Sequence, residues 1–233
     1  MAKSQNSEKS KAFKNRFQND PDFARMRENV KEFNNSMGAA KLIRNAFRGL
    51  IMATAVNGTI LNARMQRLFV QIVQSDPTSD RGERLVSKGD LSMAKKFDFN
   101  DKAFLEVVLF ALYTSTADRV SGRLAVQFPE FIPATSLTAP KGTSHFRIVT
   151  AAAEFDFEKG EYLFKEAKSA IIPYNNVMLE PLNLEVSITP DSKLAFLHVL
   201  GVECYQEVNG KMYALKDASH TALSVIHAES AVV

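Results

Sequence analysis

Apolar residues in the first third of the chain recur every three to four positions; further on they recur at every second position. Phe23, Met26, Val30, Phe33 and Met37 form one stripe, and Ile43, Phe47, Leu50 and Ile51 a second. Leu61, Met65, Leu68, Phe69, Ile72 and Val73 form a third. A repeat near 3.6 residues belongs to a helix with one buried face. The pattern predicts a helix entered at Asn19-Asp20-Pro21-Asp22, a second over about 39–55 and a third over about 59–74. Asp20 is placed to cap free N–H groups, and Pro21 suits the first helical position, where no N–H is needed. Asn34-Asn35-Ser36 predicts an interruption of the first helix, and Asn57-Gly58 a turn before the third.

From Phe97 the period falls to two. Val120–Phe128 alternates, and Leu182, Leu184, Val186 and Ile188 do so strictly within Met178–Thr189. Phe104–Tyr113, Phe146–Phe157, Glu161–Lys165, Leu194–Val208, Lys211–Leu215 and Ala222–Ala228 read as further strands. Glu158-Lys159-Gly160 and Asn209-Gly210 fall at hairpin turns, and an Asn-Gly pair tolerates the positive φ such turns demand. Strands joined by hairpins without intervening helices predict an antiparallel sandwich rather than a βαβ sheet. The expected fold class is therefore α+β: an N-terminal helical segment of two or three helices followed by an antiparallel β-sandwich. The expected organisation is a flexible basic arm at 1–18, the helical segment at 19–76, a connecting loop at 77–96 and the sandwich domain at 97–233.

Charge sharpens this division. Residues 1–70 hold thirteen Lys/Arg against five Asp/Glu, whereas residues 71–233 hold sixteen against twenty-one. The net charge of +3 conceals a cationic helical part and a mildly acidic β part, which can attract each other within or between copies. The first residues lack an apolar signal-like run, which predicts a protein that is cytoplasmic at synthesis, and no stretch is long enough for membrane insertion. One cysteine, Cys204, excludes an internal disulfide framework and a multi-cysteine metal site.

The common nucleotide, zinc-protease and hydrolase motifs are missing from the sequence. His145, His198, His220 and His227 offer no metal-binding pair at short spacing, and no cofactor is implied. Glu154, Asp156 and Glu158 alternate along one strand, which predicts a solvated acidic face above a buried face of Phe155 and Phe157. Lys41, Arg44, Arg48, Arg64 and Arg67 are the expected contacts for an anion or acidic partner.

The sequence motifs resemble a family of proteins encoded in Bacteroidota genomes. The resemblance rests on Asn19–Phe33, Gly38–Arg48, Arg81–Arg84 and Phe97–Asn100. In the β part it rests on Asp118–Gly122, Phe131–Ala134, His145–Val149 and Tyr205–Tyr213. It spans about residues 19–228 and implies the two-part organisation, but brings no activity or catalytic residue. At the N-terminus the chain departs from the family, carrying a polar lysine-rich arm instead of a short hairpin-like segment.

These features predict a non-enzymatic structural subunit that self-assembles into a filament, tube, shell or larger particle, with copies of itself or other protein subunits as partners. The expected interface comprises Phe13, Phe17, Phe23, Met26, Val30, Phe33 and Phe47. Two alternatives are a binding module that recognises a glycan or protein ligand through the sandwich, with Tyr113, Tyr162, Tyr174, Tyr205 and Tyr213 as candidates, and a nucleic-acid-associated protein using the basic helices.

Overall fold

The computed structural model describes residues 2–215 and 219–232, with side chains from residue 11 onward. Residues expected as a flexible arm form helix α1, Ala2–Asn19. Residue 1 and the side chains of residues 2–10 lie outside the described part of that arm. Asp20 then caps a short 3-10 turn, Pro21–Phe23, by accepting the Asp22 N–H at 3.1 Å.

Helix α2 runs over Ala24–Ala46 without the predicted interruption. The polar residues that weaken it locally are engaged. Ser36 Oγ donates to the Phe33 carbonyl, and Asn35 Nδ2 donates to the Arg84 carbonyl of the loop alongside. The break comes instead at Phe47, after which α3 spans Arg48–Ala53. Helix α4, Gly58–Gln74, begins where Asn57 accepts the Thr59 and Ile60 N–H groups.

The connecting loop bends through 3-10 turns at Val86–Lys88 and Leu91–Ala94. A Cβ on Gly89, between them, would lie 2.1 Å from the Ile72 carbonyl oxygen of α4. Only a glycine lets the strap pass this close. Gly89→Ala is expected to destabilise the fold by about 1–3 kcal/mol, read as a lowered urea midpoint.

Phe104–Tyr113, expected as a strand, instead holds a single helical turn, α5, at Leu105–Val108. The half-buried Asp98 carboxylate accepts the Leu105 N–H at its start, at 3.0 Å. Strands β1 (Thr114–Asp118) and β2 (Arg123–Phe128), a helical turn α6 (Pro133–Ser136), and strands β3 (His145–Asp156) and β4 (Glu161–Lys168) follow. Strands β5 (Ile172–Pro173), β6 (Leu182–Ser187), β7 (Ala195–Val208), β8 (Lys211–Leu215) and β9 (Leu223–Glu229) complete the order. Sheet pairing is antiparallel throughout. One sheet runs β1-β2-β6; the other runs β4-β3-β7-β8, with β5 on β3 and β9 on β7.

The result is an α+β fold of three layers. Alternate residues of the larger sheet enter different cores. Val149, Ala151, Ala153 and Phe155 of β3, with Leu197 and Val199 of β7, pack on Ile43, Phe47, Met65, Phe69 and Ile72 of the helices. Phe146, Ile148, Leu200 and Val202 face the smaller sheet through Val126, Phe128 and Leu184. The helices thus cover one face of the larger sheet and the smaller sheet covers the other, so β3 and β7 are buried almost continuously. Among the described residues, no helix is long and apolar enough to cross a membrane.

Candidate interaction surfaces

The stripe on α2 divides into two parts with different surroundings. Ala39, Ala40, Ile43 and Ala46 are buried over the sheet, while Met26, Val30 and Phe33 stay exposed. The first half of α2 is instead held from the side by the loop at 81–84. Gly82 N–H donates to Glu32 at 2.8 Å, Arg81 pairs with Glu28 at 3.5 Å, and Lys31 pairs with Glu83. Phe13, Phe17 and Phe23 form a small ring cluster with centroids 6.0–6.4 Å apart at the α1–α2 corner. Arg27 locks that corner by donating to the Phe17 and Asp20 carbonyls. Six of the seven residues expected at an interface therefore sit on this helical corner and the outer half of α2. Phe47 does not: it is fully buried in its own chain, because the break after α2 turns its ring into the helix–sheet core.

A second exposed apolar patch was not read from the sequence. Phe104, Val107, Phe110 and Leu112 face solvent while Leu105, Val108 and Leu109 between them enter the inter-sheet core. A run this rich in apolar residues satisfies both a strand and a helical turn, so periodicity alone cannot reveal which of them point outward. Phe104 and Val107 border a cleft of about 560 Å³ lined also by Lys96, Asp98, Glu106, Tyr113 and Ser115. Burial raises the Asp98 carboxyl above its ordinary range, outweighing the bonds it accepts from Leu105 and Ser224. Lys96 and Glu106 pair across the rim at 2.8 Å.

Behind the cleft, Ser115 Oγ lies 2.9 Å from His227 Nε2, and the His227 ring stacks on His198 with centroids 5.7 Å apart. Strand pairing of β7 with β9 brings together these two histidines, 29 positions apart in sequence. The Ser115–His227 contact is one element of a nucleophile–base pair, but among the described residues no carboxylate bonds the ring's other nitrogen. No group of three metal-ligating side chains occurs among the described residues.

The cations do not form one face. Lys41 and Arg48 are exposed, and Arg44 bonds Asn62. At 3.6 residues per turn, Arg64 and Arg67 lie on the side of α4 turned away from Asn62, with Arg67 nearly opposite the buried stripe. Arg64 stacks over the Phe97 ring at 5.0 Å. The five tyrosines are likewise dispersed. Tyr174 and Tyr205 donate their hydroxyls to Leu137 O and Glu203, Tyr113 packs on Phe128, and Tyr162 and Tyr213 are exposed on different strands.

The expected acidic row is only partly formed: Glu154 and Asp156 alternate on β3, while Glu158 falls in the turn beyond it. Glu154 is buried near the end of the inter-sheet space and accepts the Thr189 N–H and hydroxyl at 2.7 and 2.8 Å. Asp156 is half-buried and accepts from the turn residues Glu158 and Lys159. Glu158 itself is exposed in that turn. Compared with known protein families and with curated proteins, the chain finds no match.

Proposed function

We propose that the protein is a structural subunit that associates with copies of itself into a filament, tube or shell. The observation that carries this reading is the presence of two separate apolar patches, one on each side of the larger sheet. Met26, Val30 and Phe33 lie in the helical layer, and Phe104, Val107, Phe110 and Leu112 lie beside the inter-sheet core. Patches of this kind mark association sites more often than bare surface does. Two different patches on one chain fit a head-to-tail contact, which extends into rings or open arrays rather than stopping at a dimer.

Phe33→Glu and Phe110→Glu test this. Each alone is expected to sediment as a monomer with unchanged far-ultraviolet circular dichroism, while the unaltered protein forms regular particles by light scattering and negative-stain imaging. A mixture of the two variants is expected to form a dimer, since each keeps the patch the other lacks. A wild-type monomer independent of concentration and salt overturns the proposal.

A second reading, a binding module, draws on the 560 Å³ cleft beside the second patch. Its polar groups and apolar rim suit a small ligand or peptide segment. Dispersal of the basic residues over α2, α3 and α4 gives less support to nucleic-acid binding.

A further inference from the structure

The Glu154 carboxylate is 2% exposed and forms no ion pair among the described residues. Its Oε2 takes both bonds from Thr189, while Oε1 is buried with no hydrogen-bond partner among the described residues. A buried carboxylate with a vacant oxygen is costly, and such groups usually meet a cation, a donor or water. Glu154 forms part of the lining of a cavity of about 450 Å³, together with Asp156, Glu161, Lys159, Tyr162 and Leu194. Asp156 and Glu161 stand opposite each other in the β3–β4 register, so two more acidic residues border the same cavity. Lys159, the one cation in the lining, is held by Asp156 at 2.9 Å. The remaining wall is apolar, from Leu163, which stands opposite Glu154 on β4, and Leu194.

We propose that this cavity binds one organic cation, an ammonium or guanidinium group on an apolar stem. The carboxylates supply an uncompensated negative charge, and Leu163 and Leu194 supply a wall for the stem. A bare divalent ion fits less well, because the three acidic residues border the cavity without forming a group that could hold one metal ion. Two sources have this chemistry: a free alkylamine or guanidine, and a Lys or Arg side chain of another copy. The basic arm, with Lys11, Lys14 and Arg16, carries such side chains.

The test is titration of the full chain with n-butylguanidinium chloride, followed by the Leu163 and Leu194 methyl and Thr189 amide resonances. Sodium and calcium chloride at equal ionic strength serve as controls. Saturable shifts are expected, weakened about 3-fold by Glu161→Gln and at least about 10-fold by Glu154→Gln. Glu161 is exposed, so its variant keeps the fold if Glu154→Gln does not. Absence of saturation, equal shifts with calcium, or an unchanged affinity in Glu161→Gln overturns the proposal. Sedimentation of the same samples identifies the source. Release of subunits by n-butylguanidinium, mimicked by Lys11→Gln with Lys14→Gln, assigns the site to a neighbour's arm; binding without release assigns it to a free cation. The resonance readout is independent of the assembly reading, so a monomer that binds n-butylguanidinium still supports the site.

Discussion

Phe47→Ala is expected to destabilise the protein by about 3–5 kcal/mol, whereas Phe33→Ala is expected to shift stability by no more than about 0.5 kcal/mol. Both residues belong to apolar stripes of similar appearance, but their surroundings differ. Phe47 is 0% exposed, and its ring meets Phe99, Phe155 and Phe164 at 5.8–6.3 Å. It joins the corner between α2 and α3 to the sheet, so truncation leaves a cavity lined by aromatic rings that cannot collapse without moving a helix off the sheet. Phe33 is 41% exposed and fills no such space. In a chain of this size about 2–4 °C of melting temperature accompanies each kcal/mol. Thermal unfolding of the two variants at a concentration where the protein is monomeric separates them. Equal midpoints would mean that the helices do not pack on β3 as described. The same pair distinguishes folding from association, since only the Phe33 position is expected to lower the mass of the assembly while leaving the melting temperature of the monomer nearly unchanged.

The comparison also shows what periodicity can and cannot carry. Stripes on α2 and α4 and alternation in β2 and β6 were legible because each element shows one apolar face. What covers a face is a tertiary property. Val149 to Phe155 and Leu197 to Val199 are buried at every position because two layers cover them, and a run of that kind does not say that helices form one of the layers. Local polarity at Asn34–Ser36 predicted a break that the loop at 81–84 overrides by bonding to α2. Glu154 was placed correctly on its strand face but expected in solvent, because the position of Thr189, 35 residues away, cannot be read from alternation. The second apolar patch is hidden in the sequence for the same reason: Phe104 and Leu105 look alike there and differ only in which way α5 turns them.

Acidification from pH 7.5 to 5 is expected to weaken the fold, with His198 as the main cause. Its ring is fully buried between the two sheets. Thr150 Oγ1 donates to the Val199 carbonyl at 2.9 Å, so it accepts from His198 Nε2 at 2.7 Å. The ring is then neutral, with its proton on Nε2 and Nδ1 unpartnered among the described residues. Burial first, and the neighbouring His227 second, push the His198 pKa down to about 3. An unfolded histidine titrates near 6.5, so between these values the unfolded chain binds a proton that the folded chain refuses. The resulting stability is complete above about pH 6.5 and is lost progressively as the pH falls toward 3, amounting to about 2 kcal/mol lost by pH 5. His227, lowered chiefly by burial and by Lys95, acts in the same direction. Asp98, raised by burial, acts in the opposite direction as it takes up its proton earlier than an unfolded carboxyl does. Urea midpoints measured across this range check the slope. His198→Gln retains an amide donor for Thr150 but cannot titrate, so it is expected to be less stable at pH 7.5 and to show a flatter pH dependence by close to one proton. A His198 ring resonance that titrates near 6.5 in the folded protein would remove the cause, whatever the slope.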